Sequence, residues 1–567
     1  MTTATASEAS GGRGELHRTI DWKGAFWVAS GVPALVLFSI GGIAGTVGVP
    51  AFAVWTVSMI MGFIQSFTYA EIAGLFPNKS GGASVYGAAA WLKYGKFIAP
   101  LSVWCNWFAW SPVLSLGSAI AAGYIMDYVE HAPAAEAVAQ YIAAQAAAGV
   151  TVDEATATAA LMPLHNWSLL SFNLFGLINI SIGATFIIGA VLMLIAFGIQ
   201  HRGILGTAKV QTVVGLVIVI TLLICGVVPF FNGNFHADNF SPFVPLAAAY
   251  APDPGSWNTA GWTLVLGGMF IAAWSTYGFE TAVCYTSEFK NPETDTFKAI
   301  FYSGLLCLVL FILVPITFQG YLGVKGMLDP GVVAGTGVAS VMADMVGGTG
   351  AAFHTIMVAL MIASLILIII TAMAGSSRTL YQGSVDGWLP RYLSHVNHHG
   401  APTGAMWMDL CFNLILLTFA ASDATAYYFI LAVSNCGYII FNFLNLNAGW
   451  IHRMDAGHVK RPYRAPTIIL TLGAIFSYVN AAFMGAGAKV WNPNALWWGL
   501  VFAALIVPVF AFRHYVQDGG KFPARMLEDL GVKDEHGLGE RRAGVLPYLT
   551  LAGGVVVMLI ANFVFTL

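Results

Sequence analysis

The sequence predicts an all-α integral membrane protein made of two inverted halves of five spans, and three observations carry that prediction. Of its residues 58% are apolar and only 9% are charged, against about 25% charged in ordinary soluble domains. The apolar residues are gathered in successive runs, most of them near the roughly 20 residues that one helix needs to cross a bilayer. Two of these runs, the first and the sixth, are interrupted by helix-breaking residues and stand five spans apart. An odd number of spans per half turns the second half over relative to the first, the arrangement of secondary transporters with discontinuous helices at the midplane.

Taken in order, residues 1–23 are polar, lack the apolar core of a signal peptide, and read as a disordered cytosolic tail. The first half, residues 24–230, holds runs near Gly24–Gly45, Val49–Phe76, Phe97–Met126, Leu177–Ile199 and Thr207–Pro229. Within it, residues 127–168 form an Ala-rich insertion with Glu130, Glu136, Asp153 and Glu154 but no Lys or Arg, expected as an extracellular helical loop. The second half, residues 231–450, holds Gly261–Ser287, Ala299–Leu322, Ala352–Gly375, Gly404–Ala421 and Tyr427–Trp450. A polar stretch from Ser377 to Pro402 is expected to follow the eighth span. Residues 451–512 hold an eleventh and a twelfth span, Thr467–Gly487 and Ala495–Phe512. Residues 513–567 combine a charged cytosolic segment with a last apolar run, Gly544–Leu567, long enough for a thirteenth, C-terminal membrane helix; an interfacial helix is the other reading.

Basic residues are retained on the cytoplasmic side of a membrane. With the N-terminus inside, only Lys325 and Lys489 of the 24 Lys and Arg fall outside, so the expectation is a multi-pass plasma-membrane protein with a cytoplasmic N-terminus. The six cysteines form no Cys-x-x-Cys pair, which argues against a disulfide framework or a zinc site. No nucleophile with its base and no metal-ligand set appears; His395, His398 and His399 resemble a metal cluster only superficially, since they lie in the loop expected after the eighth span. A membrane enzyme, a cofactor and a nucleic-acid partner are therefore not expected. The expected partners are a small-molecule substrate, the lipid bilayer and a coupling proton.

The candidate site lies at the two breaks. Trp274-Ser275-Thr276-Tyr277-Gly278-Phe279-Glu280 places a glycine and a carboxylate well inside the sixth run. A charge near the bilayer centre costs a few kcal/mol and marks a functional position. Gly278 lets the helix unwind, and the freed backbone groups must then line a cavity or meet other protein. In the first span, Ser30-Gly31-Val32-Pro33 removes a helical hydrogen bond at the proline. Half-helix N-termini favour an anionic group, while the opposing carbonyls and Glu280 suit an ammonium, so a zwitterion or an amine fits. Ser30, Gly31, Val32, Trp107, Trp274, Tyr277, Gly278 and Phe279 are the candidate substrate-binding residues. Glu280 and Glu288 are the candidates for gating and proton coupling, with Glu288 and Lys290 read as either an intracellular gate or a helix-end ion pair.

The motif series around these breaks is Tyr69-Ala70-Glu71 with Pro77 and Gly81-Gly82, then Gly278-Phe279-Glu280 with Glu288 and Lys290-Asn291-Pro292. Ser377-Arg378, Asp386-Gly387 with Leu389-Pro390, and Arg461-Pro462 with Pro466 complete it. In this order the series resembles the amino acid-polyamine-organocation (APC) superfamily of permeases across the first twelve spans. That resemblance implies a LeuT-like fold, with substrate held between spans one, three, six, eight and ten under alternating access. Trp274-Ser275 with Gly278 and Glu280 is similar to the arginine/agmatine antiporters of that superfamily, which implies cation stacking on Trp274 and proton sensing at Glu280. The other reading of Trp274 is packing against the third span. Two departures stand out. Pro33 has no amide hydrogen for a substrate carboxylate, and the fifth span has Ile218 where proton-coupled members often carry a lysine. Amino acid transport, coupled to protons or run as exchange, is therefore expected, with a polyamine or amine transporter or an amino acid/amine antiporter as the alternative.

Overall fold

The computed structural model describes residues 16–130, 135–152, 154–174, 178–245, 255–348, 350–421, 424–529 and 541–566. Among them, 11 helices are long and apolar enough to cross a membrane. The shorter Ala184–Gln200 and the helix Thr259–Thr276, continued by a 3-10 helix over Gly278–Glu288, take the places of the expected fourth and sixth spans. The protein is thus an all-helical integral membrane protein. Its last apolar run is the helix Leu546–Val564, laid along Thr467–Trp491 by the closest approach of Gly485 to the Met558 carbonyl and by Lys489 Nζ donating to the Asn562 carbonyl at 2.6 Å.

Three boundaries differ from the sequence expectation, each for a physical reason. The insertion contains the helices Ala135–Ala147, Glu154–Ala160 and Pro163–Asn166, but it is followed by an antiparallel hairpin of β1 (Ser168–Leu174) and β2 (Ile178–Gly183). Ile178-Asn179-Ile180-Ser181-Ile182 alternates apolar and polar residues, the period of a strand, so the fourth span starts at Ala184 rather than near Leu177. Residues 131–134 and 153 of the insertion lie outside the described residues, as do residues 1–15 of the expected tail.

The rest of that tail is not disordered. Ile20 pairs with Phe289, and the Thr19 and Ile20 amides both donate to the Glu288 carbonyl, before a helix begins at Trp22 under an Asp21 cap. The eighth span also runs further than expected. It extends over Ala351–Val385, so Ser377, Arg378 and Gln382 lie on a helix instead of in a loop. Their polar side chains tolerate this depth because each meets a buried partner.

A short helix over Ala83–Leu92, with every residue buried, separates the second span from the third. Its sequence is mostly small residues, which allow close backbone approach. Gly87 sits against Asn445, and Trp91 Nε1 donates to the Leu444 carbonyl at 2.7 Å. Glu71 ties the end of the second span to the segment before the eleventh, accepting from Arg453 Nε at 2.9 Å and from the Ala465 amide at 2.8 Å.

The contact at Gly485 generates a test. Gly485→Val forces a side chain into the Met558 backbone and is expected to cost about 1–3 kcal/mol, as overpacked positions do. A melting curve of the detergent-purified variant checks this, and an unchanged midpoint would mean that Leu546–Val564 packs elsewhere.

Candidate functional site

Both interrupted spans tighten where they were expected to open. Residues Ala29–Leu35, with Pro33 inside, form a 3-10 helix between Trp22–Val28 and Val36–Val47, and Gly278–Glu288 continues the sixth span in the same form. Neither Gly31 nor Gly278 has a positive φ. Their missing side chains serve close approach. A β-carbon on Gly278 would stand 3.0 Å from Leu35, 3.1 Å from the Trp110 ring and 3.1 Å from Val32. One on Gly31 would stand 2.6 Å from Thr371 Oγ1 and 2.8 Å from the Ile368 backbone. Mid-span 3-10 segments are often found at hinges or in strained sequence.

The expected site residues divide into those that converge and those that turn elsewhere. Val32, Trp274, Gly278 and Glu280 gather around Trp110 of the third span. Trp274 is fully buried, its Nε1 donating to the Ala109 carbonyl at 2.9 Å and its ring tilted against Phe38 and Trp110, so it does pack against the third span. Ser30 donates to the Trp27 carbonyl at 2.6 Å and lies against Gly215 of the fifth span. Phe279 faces Gly304 of the seventh span, and Tyr277 covers Gly62 while reaching Asn480 Oδ1 at 3.3 Å. Trp107 points to the ninth span, donating to Asp409 Oδ1 at 2.6 Å.

Glu280 is 1% exposed. Its Oε1 accepts from Trp110 Nε1 at 2.9 Å, and its Oε2 has no partner among the described residues. Among the described residues Asn106, on the third span, has no partner for either amide atom, and Thr281 has none for its hydroxyl. Buried polar groups without partners cost about 1–3 kcal/mol each. Asn106 Nδ2 and Glu280 Oε2 both lie beside Gly82.

Asp409 was not singled out from sequence, although a carboxylate inside the ninth apolar run is the same signal that drew attention to Glu280. It is fully buried and accepts from Trp107 Nε1, from Ser111 Oγ at 2.8 Å and from Ser376 Oγ at 2.6 Å, joining spans three, eight and nine. A second polar group binds spans two, ten and eleven, with Asn442 Nδ2 donating to Gln65 Oε1 at 2.8 Å and to Tyr69 OH at 2.6 Å, and Asn480 Nδ2 donating to Asn442 Oδ1 at 3.0 Å. Tyr69 therefore belongs to this network, whereas Glu71 anchors a helix end.

Glu288 is paired, and its partner is not Lys290. The fully buried carboxylate meets the Arg378 guanidinium with both oxygens, Nη2 at 3.0 Å from Oε1 and Nε on Oε2. Lys79 Nζ reaches Asp386 Oδ1 at 2.6 Å, with Gln382 Nε2 on the same oxygen at 2.9 Å, and the Ser80 amide donates to Gln382 Oε1 at 3.1 Å. These contacts lie at the end of the bundle where Ile20 pairs with Phe289. At the opposite end, Tyr428 OH donates to the Val333 carbonyl at 2.8 Å, Tyr427 OH to the Phe38 carbonyl at 3.3 Å, and Tyr124 OH to the Gly335 carbonyl. The six cysteines are free, and among the described residues no group of three His, Cys, Asp or Glu is placed to hold a metal ion.

The family model for amino acid permeases matches residues 20–507, which include both breaks, Glu280 and all four ion-pair partners. The chain belongs to the amino acid permease family. Members similar to it include a lysine-specific permease of Lactococcus lactis, 30% identical over 190 residues covering 32% of this chain and 35% of that protein. A branched-chain amino acid permease of the same organism is 24% identical over 232 residues, 40% of this chain and 45% of that protein. An amino-acid permease of Candida albicans is 25% identical over 255 residues, 44% of this chain and 40% of that protein. The matched region thus covers less than half the length of each of these relatives.

The pairing of Glu288 yields a sharp expectation for this family member. Arg378→Met strands a buried carboxylate and is expected to cost about 3–5 kcal/mol, whereas Arg378→Met with Glu288→Leu recovers most of that loss. Melting of the two purified variants side by side checks it; equal destabilisation by both would break the argument.

Proposed function

We propose that this protein is a secondary active transporter that moves amino acids across the plasma membrane by alternating access, with its N-terminus cytoplasmic. The observation that carries the reading is Glu280, a carboxylate with one unpartnered oxygen, buried where two interrupted spans cross and enclosed at both ends of the bundle. A substrate amino group is the natural complement of such an oxygen. The 3-10 segments of spans one and six are the hinges of the transition, and the pairs Glu288–Arg378 and Lys79–Asp386 are the contacts that part when the N-terminal end opens. Substrate would bind among Val32, Trp274, Gly278 and Trp110. Gly31 and Ser30 would act by letting span one move against spans eight and five.

Glu280 is also the candidate proton carrier. The fifth span carries the buried, apolar Ile218 where a lysine would otherwise stand, and its Gln211 is engaged with the eighth span, Nε2 donating to the Leu367 carbonyl at 3.0 Å and to Thr371 Oγ1 at 2.9 Å. Coupling through Glu280, or plain exchange, follows. The names of the relatives, a lysine-specific and a branched-chain amino acid permease among them, support an amino acid substrate. One observation favours the amine alternative: Pro33 removes an amide donor from the turn that would otherwise meet a carboxylate.

Counterflow and pH-driven uptake in proteoliposomes test the reading. Glu280→Gln is expected to abolish pH-driven accumulation while leaving the folded protein and its melting midpoint near wild type, since an amide of the same shape replaces the buried carboxyl group. Undiminished pH-dependent uptake by that variant would remove Glu280 from the mechanism.

A further inference from the structure

The geometry points to Asn106 as the residue that reads the substrate's carboxylate, making an α-amino acid head group the ligand of this site in preference to a simple amine. The inference rests on the permease reading above and deepens it. Asn106 is 1% exposed, and neither its Oδ1 nor its Nδ2 has a partner among the described residues. Exchanging the two amide atoms leaves both orphaned, so the conclusion does not depend on which is which.

Asn106 and Glu280 face one small space, and Gly82 keeps it open. A β-carbon on Gly82 would stand 2.8 Å from Cys284 Sγ, 3.9 Å from Asn106 Nδ2 and 4.0 Å from Glu280 Oε2. Gly82 has a φ of +84°, a conformation that favours glycine. The space therefore holds an oxygen of the Glu280 carboxyl group, Oε2, beside an amide that offers one acceptor and a pair of N–H donors. The basic groups of the adjoining layer, Arg378 and Lys79, are engaged with Glu288 and Asp386.

An ammonium alone satisfies Glu280 Oε2 and Asn106 Oδ1 but leaves Asn106 Nδ2 without an acceptor. An α-amino acid carries a carboxylate on the same carbon as its ammonium. Its ammonium donates to Glu280 Oε2 and Asn106 Oδ1, and one carboxylate oxygen accepts from Asn106 Nδ2. The donor that Pro33 withholds in span one is thus replaced by a side-chain amide of span three.

The test uses the full-length purified protein and matched probes: leucine, leucine methyl ester and 3-methylbutylamine, then lysine, lysine methyl ester and cadaverine, each titrated by thermal stabilisation. On wild type, decarboxylation is expected to weaken binding at least about tenfold, the consequence of stranding a buried donor, while the ester, which keeps a carbonyl acceptor, falls between. Asn106→Leu is expected to bring the amino acid-to-amine affinity ratio close to one, because it removes the N–H donor that only the amino acid uses; amine binding weakens through the loss of Oδ1, and the ligand-free midpoint changes little, because the amide removed is an orphaned one. Amines that stabilise wild type as well as their amino acids overturn the inference without any variant. An unchanged amino acid-to-amine ratio in Asn106→Leu overturns it as well. Failure of every probe to bind wild type strikes the permease reading itself, a different result from either.

Discussion

A carboxylate buried in an apolar bundle with one oxygen left unpartnered is the constraint around which this structure is arranged. Glu280 cannot be solvated by lipid, and a single indole N–H from Trp110 does not complete its shell. Something has to make it tolerable, and the surroundings are fitted to that task. Gly278 lets spans one and three close upon it, Gly82 leaves room beside its second oxygen, and Asn106 brings a further pair of polar atoms to the same space.

The two helix breaks follow from the same constraint. A membrane offers no water to unpaired backbone groups, so an interruption survives only where protein surrounds it. Here the breaks are taken up by 3-10 turns, which keep most backbone bonds while changing the pitch, and all residues of Ala29–Leu35 are buried. The polar side chains around them are arranged in separate sets. One joins Asp409 to spans three and eight, one joins Asn442 to spans two and eleven, and one is made of ion pairs at the N-terminal end. The Asp409 set and the ion pairs share the eighth helix through Ser376 and Arg378, whereas the Asn442 set holds spans two, ten and eleven apart from them.

Much of this was legible in the chain. Composition placed it in the membrane, apolar runs located nearly all the spans, and the glycine and proline at Gly278 and Pro33 marked the breaks. The motif series identified the family that the wider comparison supports. Glu280 stood out by the cost of charge in lipid, and the identical argument holds for Asp409 inside the ninth span. The hairpin of β1 and β2 was legible from its alternation but was absorbed into a neighbouring apolar run. The extension of the eighth helix through Arg378 was hidden for another reason: a run of polar residues reads as a loop until its partners are known.

What the sequence determined by itself was local: which segments cross, where they are interrupted and which residue types stand at the interruptions. These depend on transfer free energies and backbone propensities, which act over a single turn or a single span. Tertiary structure alone decided the pairings. Glu288 meets Arg378 rather than its neighbour Lys290, Trp107 turns to Asp409 rather than to the centre, and Asn106 shares its space with Glu280. Between helices in lipid no hydrophobic gradient sorts one face from another, so contacts are chosen by shape and by the need of each buried polar group for a partner. Such partners come from residues remote along the chain, and their identity emerges only when the helices are packed.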